Sequence, residues 1–212
     1  MTIRAVLFDF DGTLADTTEL FLRTYRHTLA THLGAAPPDE EWRARFGMPL
    51  DVQLGHYAGS PDEVARLVES FREYQRANEE ALTRVFPGVM ETVAELARRG
   101  TKLAIVTSKH RPGAIRAMGL CGLTDFFPVI VTPDDVARGK PHPDPVLLAL
   151  EQLGAAPAES LFLGDSPFDL AAGRAAGTVT AAALWGAFPR AALEAERPDH
   201  FLERPEALLG VV

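Results

Sequence analysis

The sequence predicts an α/β fold: a doubly wound parallel-sheet core that carries an inserted all-helical domain. Three observations predict it. Ile3 to Phe8 is a short apolar run, the pattern of a strand buried on both faces. From Phe86-Pro87-Gly88 onward, short apolar runs alternate with amphipathic segments, as strand–helix units of a parallel sheet do. Between the two, residues 17–84 show helical periodicity and no strand candidate. The expected division is therefore residues 1–16 with 85–212 for the sheet domain and 17–84 for the helical insert.

The elements follow in order. After Asp16, Thr17 or Thr18 caps a helix whose apolar face is Leu20, Phe21, Tyr25, Leu29 and Leu33, and Gly34 with Pro37-Pro38 stops it. A second helix is expected from Asp39 to about Phe46, with Glu40-Glu41 suited to its N-terminal dipole. Gly47-Met48-Pro49-Leu50 makes a tight loop, followed by a short helix over 51–57 and a long one over 61–82. Helices over 89–99, 112–118, 145–153 and 168–176 then alternate with strands over 102–106, 129–131, 161–163 and 179–184. Pro198 to Phe201 and a helix over 205–209 finish the chain.

Length and composition set the class. The 212 residues suffice for a core domain with an insert, and 47% hydrophobic with 24% charged residues is an ordinary globular composition. A net charge of −8 argues against nucleic acid or an anionic membrane as partner. The single cysteine, Cys121, rules out an internal disulfide. Without a signal-peptide pattern or a run long enough to span a bilayer, a cytoplasmic location is the expectation. The oligomeric state is left open. Lysines occur only at 102, 109 and 140.

The polar groups that break the apolar pattern fall at C-terminal strand ends, where ligands bind in parallel sheets. Asp9 and Asp11 follow the first strand, alternate residues that project to one side. Two such carboxylates repel, and a cation or a shared proton relieves them. Gly12 permits the sharp turn beyond and a close backbone approach to a ligand. Thr107-Ser108, then Lys140 in Gly139-Lys-Pro-His-Pro-Asp144, then Asp165 and Asp169 in Gly164-Asp-Ser-Pro-Phe-Asp169 end or follow later strands. Acidic side chains with backbone oxygen make a hard site suited to Mg²⁺. Thr107 and Lys140 offer a hydroxyl and a cation to a phosphoryl group.

Asp-Phe-Asp-Gly-Thr-Leu, Thr107-Ser108, Gly139-Lys140-Pro141 and Gly-Asp-Ser-Pro-Phe-Asp resemble, in order, the four motifs of the haloacid dehalogenase-like (HAD) superfamily. The insert resembles that family's C1 cap, on a Rossmann-like core. Within the family, Thr107-Ser-Lys109, Phe86-Pro-Gly88 and Pro198-Asp-His-Phe201 are most similar to the phosphoglycolate phosphatase and PpaX-type pyrophosphatase group. The resemblance implies a Mg²⁺-dependent phosphatase that hydrolyses a small phosphate monoester of the phosphoglycolate type through an aspartyl-phosphate. The alternatives are a pyrophosphatase, or a sugar-phosphate phosphatase or phosphoglucomutase. It implies Asp9 as nucleophile and Asp11 as general acid/base whose carbonyl binds metal. Thr107, Ser108, Lys140 and Gly12 would hold phosphate, Asp9, Asp11 and Asp165 the metal, and Asp169 would support the metal's ligand shell.

Within the superfamily, Asp11 favours phosphoryl transfer over dehalogenation, where the second Asp is not kept. Phosphonatase relatives form a Schiff base with a cap lysine, and residues 17–84 contain none. A phosphoacceptor signalling domain would leave the insert unexplained, and a binding-only member would be expected to lack Asp9 or Asp11. The partner is then a small phosphorylated metabolite chosen by the cap. Arg45, beside Gly47 and Met48, is the expected contact to the remote end of an anionic substrate, ahead of Arg23, Arg26, Arg43 and His27.

Overall fold

The computed structural model describes residues 2–212. The chain runs β1 (Ala5–Phe8), β2 (Ala15–Asp16), α1 (Thr18–Leu33), α2 (Asp39–Arg43), α3 (Leu50–Gly55), α4 (Pro61–Leu82) and β3 (Arg84–Val85). It continues α5 (Val89–Arg98), β4 (Lys102–Val106), α6 (Arg111–Leu120), β5 (Val129–Val131) and α7 (Asp144–Leu153). β6 (Ser160–Gly164), α8 (Pro167–Ala176), β7 (Val179–Ala183), α9 (Arg190–Glu194), β8 (His200–Leu202) and a 3-10 helix over Pro205–Gly210 complete it.

Six strands form one parallel sheet in the order β5-β4-β1-β6-β7-β8. From β1 the chain builds outward through β4 to β5, then returns to add β6, β7 and β8 on the other side. The order thus reverses beside β1, which opens a crevice at its C-terminal end. Alternation along β1 splits the core between two faces. Val6 and Phe8 pack with Val93 and Leu96 of α5 and Met118 of α6, while Leu7 packs with Val146 and Leu150 of α7 and Ala172 of α8.

The insert has its own core. Leu22, Tyr25 and Leu29 of α1 meet Trp42 of α2, Leu54 of α3, and Leu67 and Phe71 of α4. Tyr25 and Trp42 stack with centroids 4.4 Å apart. α4 is started by local chemistry: Ser60 accepts from the N–H of Glu63, and Pro61 occupies the first turn.

Several elements differ from expectation. Arg84, in the stretch read as wholly helical, pairs in β3 with Asp16 of β2, so a two-strand antiparallel ladder ties the insert to the sheet. Two-residue strands carry no periodicity, which is why pattern reading passes over them. α2 ends at Arg43 rather than near Phe46, because the chain turns toward Gly47 at φ +87°. α9 has no counterpart among the expected elements, and the tail segment at His200–Leu202 adds an edge strand. Among the described residues, no helix is long and apolar enough to cross a membrane.

Candidate active site

A cavity of about 390 Å³ lies between the C-terminal strand ends and the insert. Its floor begins with β1. Asp9 follows the strand directly, its N–H bonded to the Leu163 carbonyl of β6 at 2.9 Å. The chain then folds tightly: the Phe10 carbonyl accepts the N–H groups of Leu14 and Ala15, each at 3.0 Å. Gly12 stands in this turn at φ +87°, and a Cβ there would lie 2.3 Å from Asp165 Oδ2. Conformation and space both demand glycine.

Lys140 organises the carboxylates. Its buried Nζ lies 2.8 Å from Asp9 Oδ1, 2.6 Å from Asp169 Oδ1 and 3.3 Å from the Val106 carbonyl. An ammonium has three donors, and all are directed. Asp169 is committed on both oxygens, since Oδ2 accepts from the Ser166 N–H at 3.1 Å and the Ser166 hydroxyl at 2.6 Å. That reciprocal cap starts α8. Asp165 accepts from the Ala187 N–H at 2.7 Å and the Thr13 hydroxyl at 3.4 Å, with no cation of its own in direct contact among the described residues.

Carboxylate oxygens of Asp9, Asp165 and Asp169 all lie within 4.8 Å of one another, and all three residues are buried. The electrostatic consequence is strong. Burial and the neighbouring Asp169 push Asp9 up to about 7, against the pull of Lys140. Burial, Asp9 and Asp169 likewise hold Asp165 well above the usual carboxylate range. For Lys140, burial acts to lower the pKa, but the carboxylates of Asp169 and Asp9 more than reverse it and leave it raised. One ammonium among three carboxylates leaves two negative charges unanswered when all are ionised.

Asp11 lines the cavity, and both its oxygens meet Lys109 Nζ, at 3.1 and 3.2 Å. The Thr107 hydroxyl accepts from the Lys109 N–H at 3.1 Å, which leaves its own hydrogen free to be donated. Ser108 lines the cavity, but its hydroxyl donates to the Gly47 carbonyl at 2.6 Å, across to the insert. Gly47 and Met48 line the cavity too, and a Cβ on Gly47 would lie 2.9 Å from Ser166 Oγ.

Arg45 is not among the lining residues. Its guanidinium donates to the Glu41 carbonyl and lies over the Tyr57 ring at 5.8 Å. The insert's cation in the cavity wall is instead Arg72 of α4. Sequence reasoning also assigned no role to Lys109, Ser166, Gln53 or Gln75, although all line the cavity. The scarcity of lysine already singled out Lys109; nothing local marked the glutamines.

The comparisons with known proteins agree with this architecture. A family model described as haloacid dehalogenase-like hydrolase matches residues 6–183, from β1 through β7. The chain belongs to the haloacid dehalogenase-like hydrolase family. A Bacillus cereus protein named pyrophosphatase PpaX is 39% identical over 212 residues, covering 100% of this chain and 97% of the relative. A solved structure of a candidate phosphoglycolate phosphatase from Lactobacillus plantarum superposes with TM-score 0.90 at 26% identity, covering 100% of both chains. A mutant of CbbY from Rhodobacter sphaeroides, solved with xylulose-(1,5)bisphosphate, gives TM-score 0.85 at 29% identity over 98% of this chain and 96% of that one. This haloacid dehalogenase-like protein is a hydrolase with phosphatase-named relatives on both sides of the comparison.

Proposed function

We propose that the protein is a Mg²⁺-dependent phosphohydrolase that forms an aspartyl-phosphate on Asp9 and acts on inorganic pyrophosphate. The arrangement of Lys140 carries the reading: it holds Asp9 by one oxygen, 2.8 Å away, and leaves the other free at the crevice. The 39% identity over the whole chain to a protein named pyrophosphatase supports the substrate. Phosphoglycolate is the second reading, favoured by the Lactobacillus plantarum structure at 26% identity.

The residues fit the metal. Two unanswered negative charges in a buried cluster of oxygen donors match a hard divalent cation in both charge and chemistry. Asp9, Asp165 and the Asp11 carbonyl would hold it, while Asp169 is occupied by Lys140 and Ser166. When bound, Mg²⁺ would neutralise phosphoryl charge and keep Asp9 ionised at neutral pH.

The steps then belong to the chain's own groups. The free oxygen of Asp9 attacks phosphorus and the bond from phosphorus to the leaving oxygen breaks. Asp11 gives its proton to that oxygen, then takes one from the water that cleaves the aspartyl-phosphate, releasing phosphate and restoring Asp9. Thr107 donates to a phosphoryl oxygen, and Lys140 offsets charge between Asp9 and the phosphate. The helices between β2 and β3 act as a cap, joined to the core by that ladder, that excludes water and contacts only the leaving part. The test is phosphate release from pyrophosphate, phosphoglycolate and an aryl phosphate, with Mg²⁺ and with chelator. Wild type should turn over only with the metal, and Asp9→Asn should fall to background with its fold intact. Clear turnover by Asp9→Asn would remove Asp9 from the reaction.

A further inference from the structure

On α4, Val68, Phe71, Arg72 and Gln75 recur at helical spacing and form one wall of the cavity. Two donors in that wall, Arg72 Nε and Gln75 Nε2, are buried without a hydrogen-bond partner. Across from α4, Gln53 of α3 donates its Nε2 to the Met48 carbonyl at 2.7 Å, which settles which end of the amide is oxygen. Its Oε1 is buried and also unpartnered. Gln53 and Gln75 are only 6% and 7% exposed.

Buried polar atoms without partners are costly, and elsewhere this site is closely paired. Three of them in residues that line one cavity point to a ligand that answers all three. A guanidinium and an amide N–H call for an oxyanion, and the Gln53 oxygen calls for a hydrogen. A carboxylate supplies no hydrogen. A hydrogen phosphate group supplies both oxygens and hydrogen. His110, another lining residue, adds no competing cation at neutral pH, because burial and the nearby Arg72 lower its pKa.

We infer that Arg72, Gln75 and Gln53 form a second oxyanion subsite, which takes a proton-bearing phosphate group of the substrate while the first phosphoryl group faces Asp9. The inference rests on the phosphohydrolase reading above and makes the leaving group phosphate rather than a carboxylate-bearing alcohol. It assigns recognition to the inward face of α4, not to Arg45.

Calorimetry decides it without turnover. Binding of methylenediphosphonate, phosphonoacetate and orthophosphate is measured with Mg²⁺ on wild type, Arg72→Ala, Arg72→Lys and Arg45→Ala. Wild type should bind the diphosphonate more tightly than phosphonoacetate. Arg72→Ala should lower the ratio of diphosphonate to orthophosphate affinity by roughly ten- to a hundredfold, the size of a lost charge-assisted contact. Arg72→Lys should recover part of it. In kinetics, the same variant should lower the ratio of kcat/KM for pyrophosphate over an aryl phosphate by a similar factor. Equal losses on both ligands, no loss, or a shift that Arg45→Ala matches would overturn the subsite. Tighter binding of phosphonoacetate would overturn its preference for a proton-bearing group. An inactive wild type would count against the reaction alone, since the binding ratios still decide the subsite.

Discussion

Lys109 Nζ sits 3.1 Å from Asp11 Oδ2 and 3.2 Å from Oδ1, and its side chain is 4% exposed against 19% for Asp11. The ammonium also lies over the Phe21 ring of α1 at 4.8 Å, so it touches both the sheet domain and the insert. Glu79 of α4, buried and ion-paired to Arg116 at 3.3 Å, also feels the Lys109 charge. Lys109 therefore sets where the Asp11 carboxyl points.

From this pairing, Lys109→Met should keep the packing and lose the orientation of Asp11. Turnover should fall by about 10- to 100-fold, the worth of a buried charge-assisted hydrogen bond, while Mg²⁺ affinity changes much less. Steady-state kinetics and a metal titration check it. A wild-type kcat in a folded variant would sink the positioning role.

Ser108 offers a test of where its hydroxyl works. The bond to the Gly47 carbonyl at 2.6 Å holds the insert's loop against the strand ends. If that is its use, Ser108→Ala costs about 1 kcal/mol, lowers Tm by about 2–4 °C and raises KM about fivefold with kcat little changed. A large fall in kcat on an aryl phosphate, with Tm intact, would instead return the hydroxyl to the phosphate, as the motif implies.

The raised carboxylates predict how stability follows pH. Asp9 titrates near 3.8 when unfolded and is pushed up to about 7 in the fold. Between these values the folded state holds a proton that the unfolded chain has released. Metal-free stability should therefore fall as pH rises from about 4 to about 7, and Asp165 acts in the same direction. Lys140, raised from 10.5, contributes stability that is lost only at higher pH. Thermal melts should show a metal-free Tm lower near pH 7 than near pH 5, and a gain on adding Mg²⁺ that is larger near pH 7. A metal-free Tm that rises across this window, or a Mg²⁺ gain larger near pH 5, would contradict the unanswered charge.

Local sequence carries the parallel sheet, the helical insert and the segments after β1, β4, β5 and β6 that hold Asp9, Asp11, Thr107, Lys140 and Asp165. Those features are local: apolar runs, helix periods, and Gly12 in a turn that only glycine enters. Other relationships span the chain. Lys140 reaches Asp9 across 131 positions, Lys109 reaches Asp11 across 98, and Ser108 reaches Gly47 across 61. No local pattern encodes such pairs, because they depend on which strands become neighbours. The choice between Arg45 and Arg72 shows the same limit. Both lie in helical or turn segments and look alike as solvated arginines. Leu67 and Phe71 fill the insert's core, and that packing fixes the rotation of α4 about its axis. The rotation carries Arg72 and Gln75 to the cavity wall, while the turn after α2 leaves Arg45 over Tyr57. Only side-chain packing between helices decides which residues of a helix face a ligand.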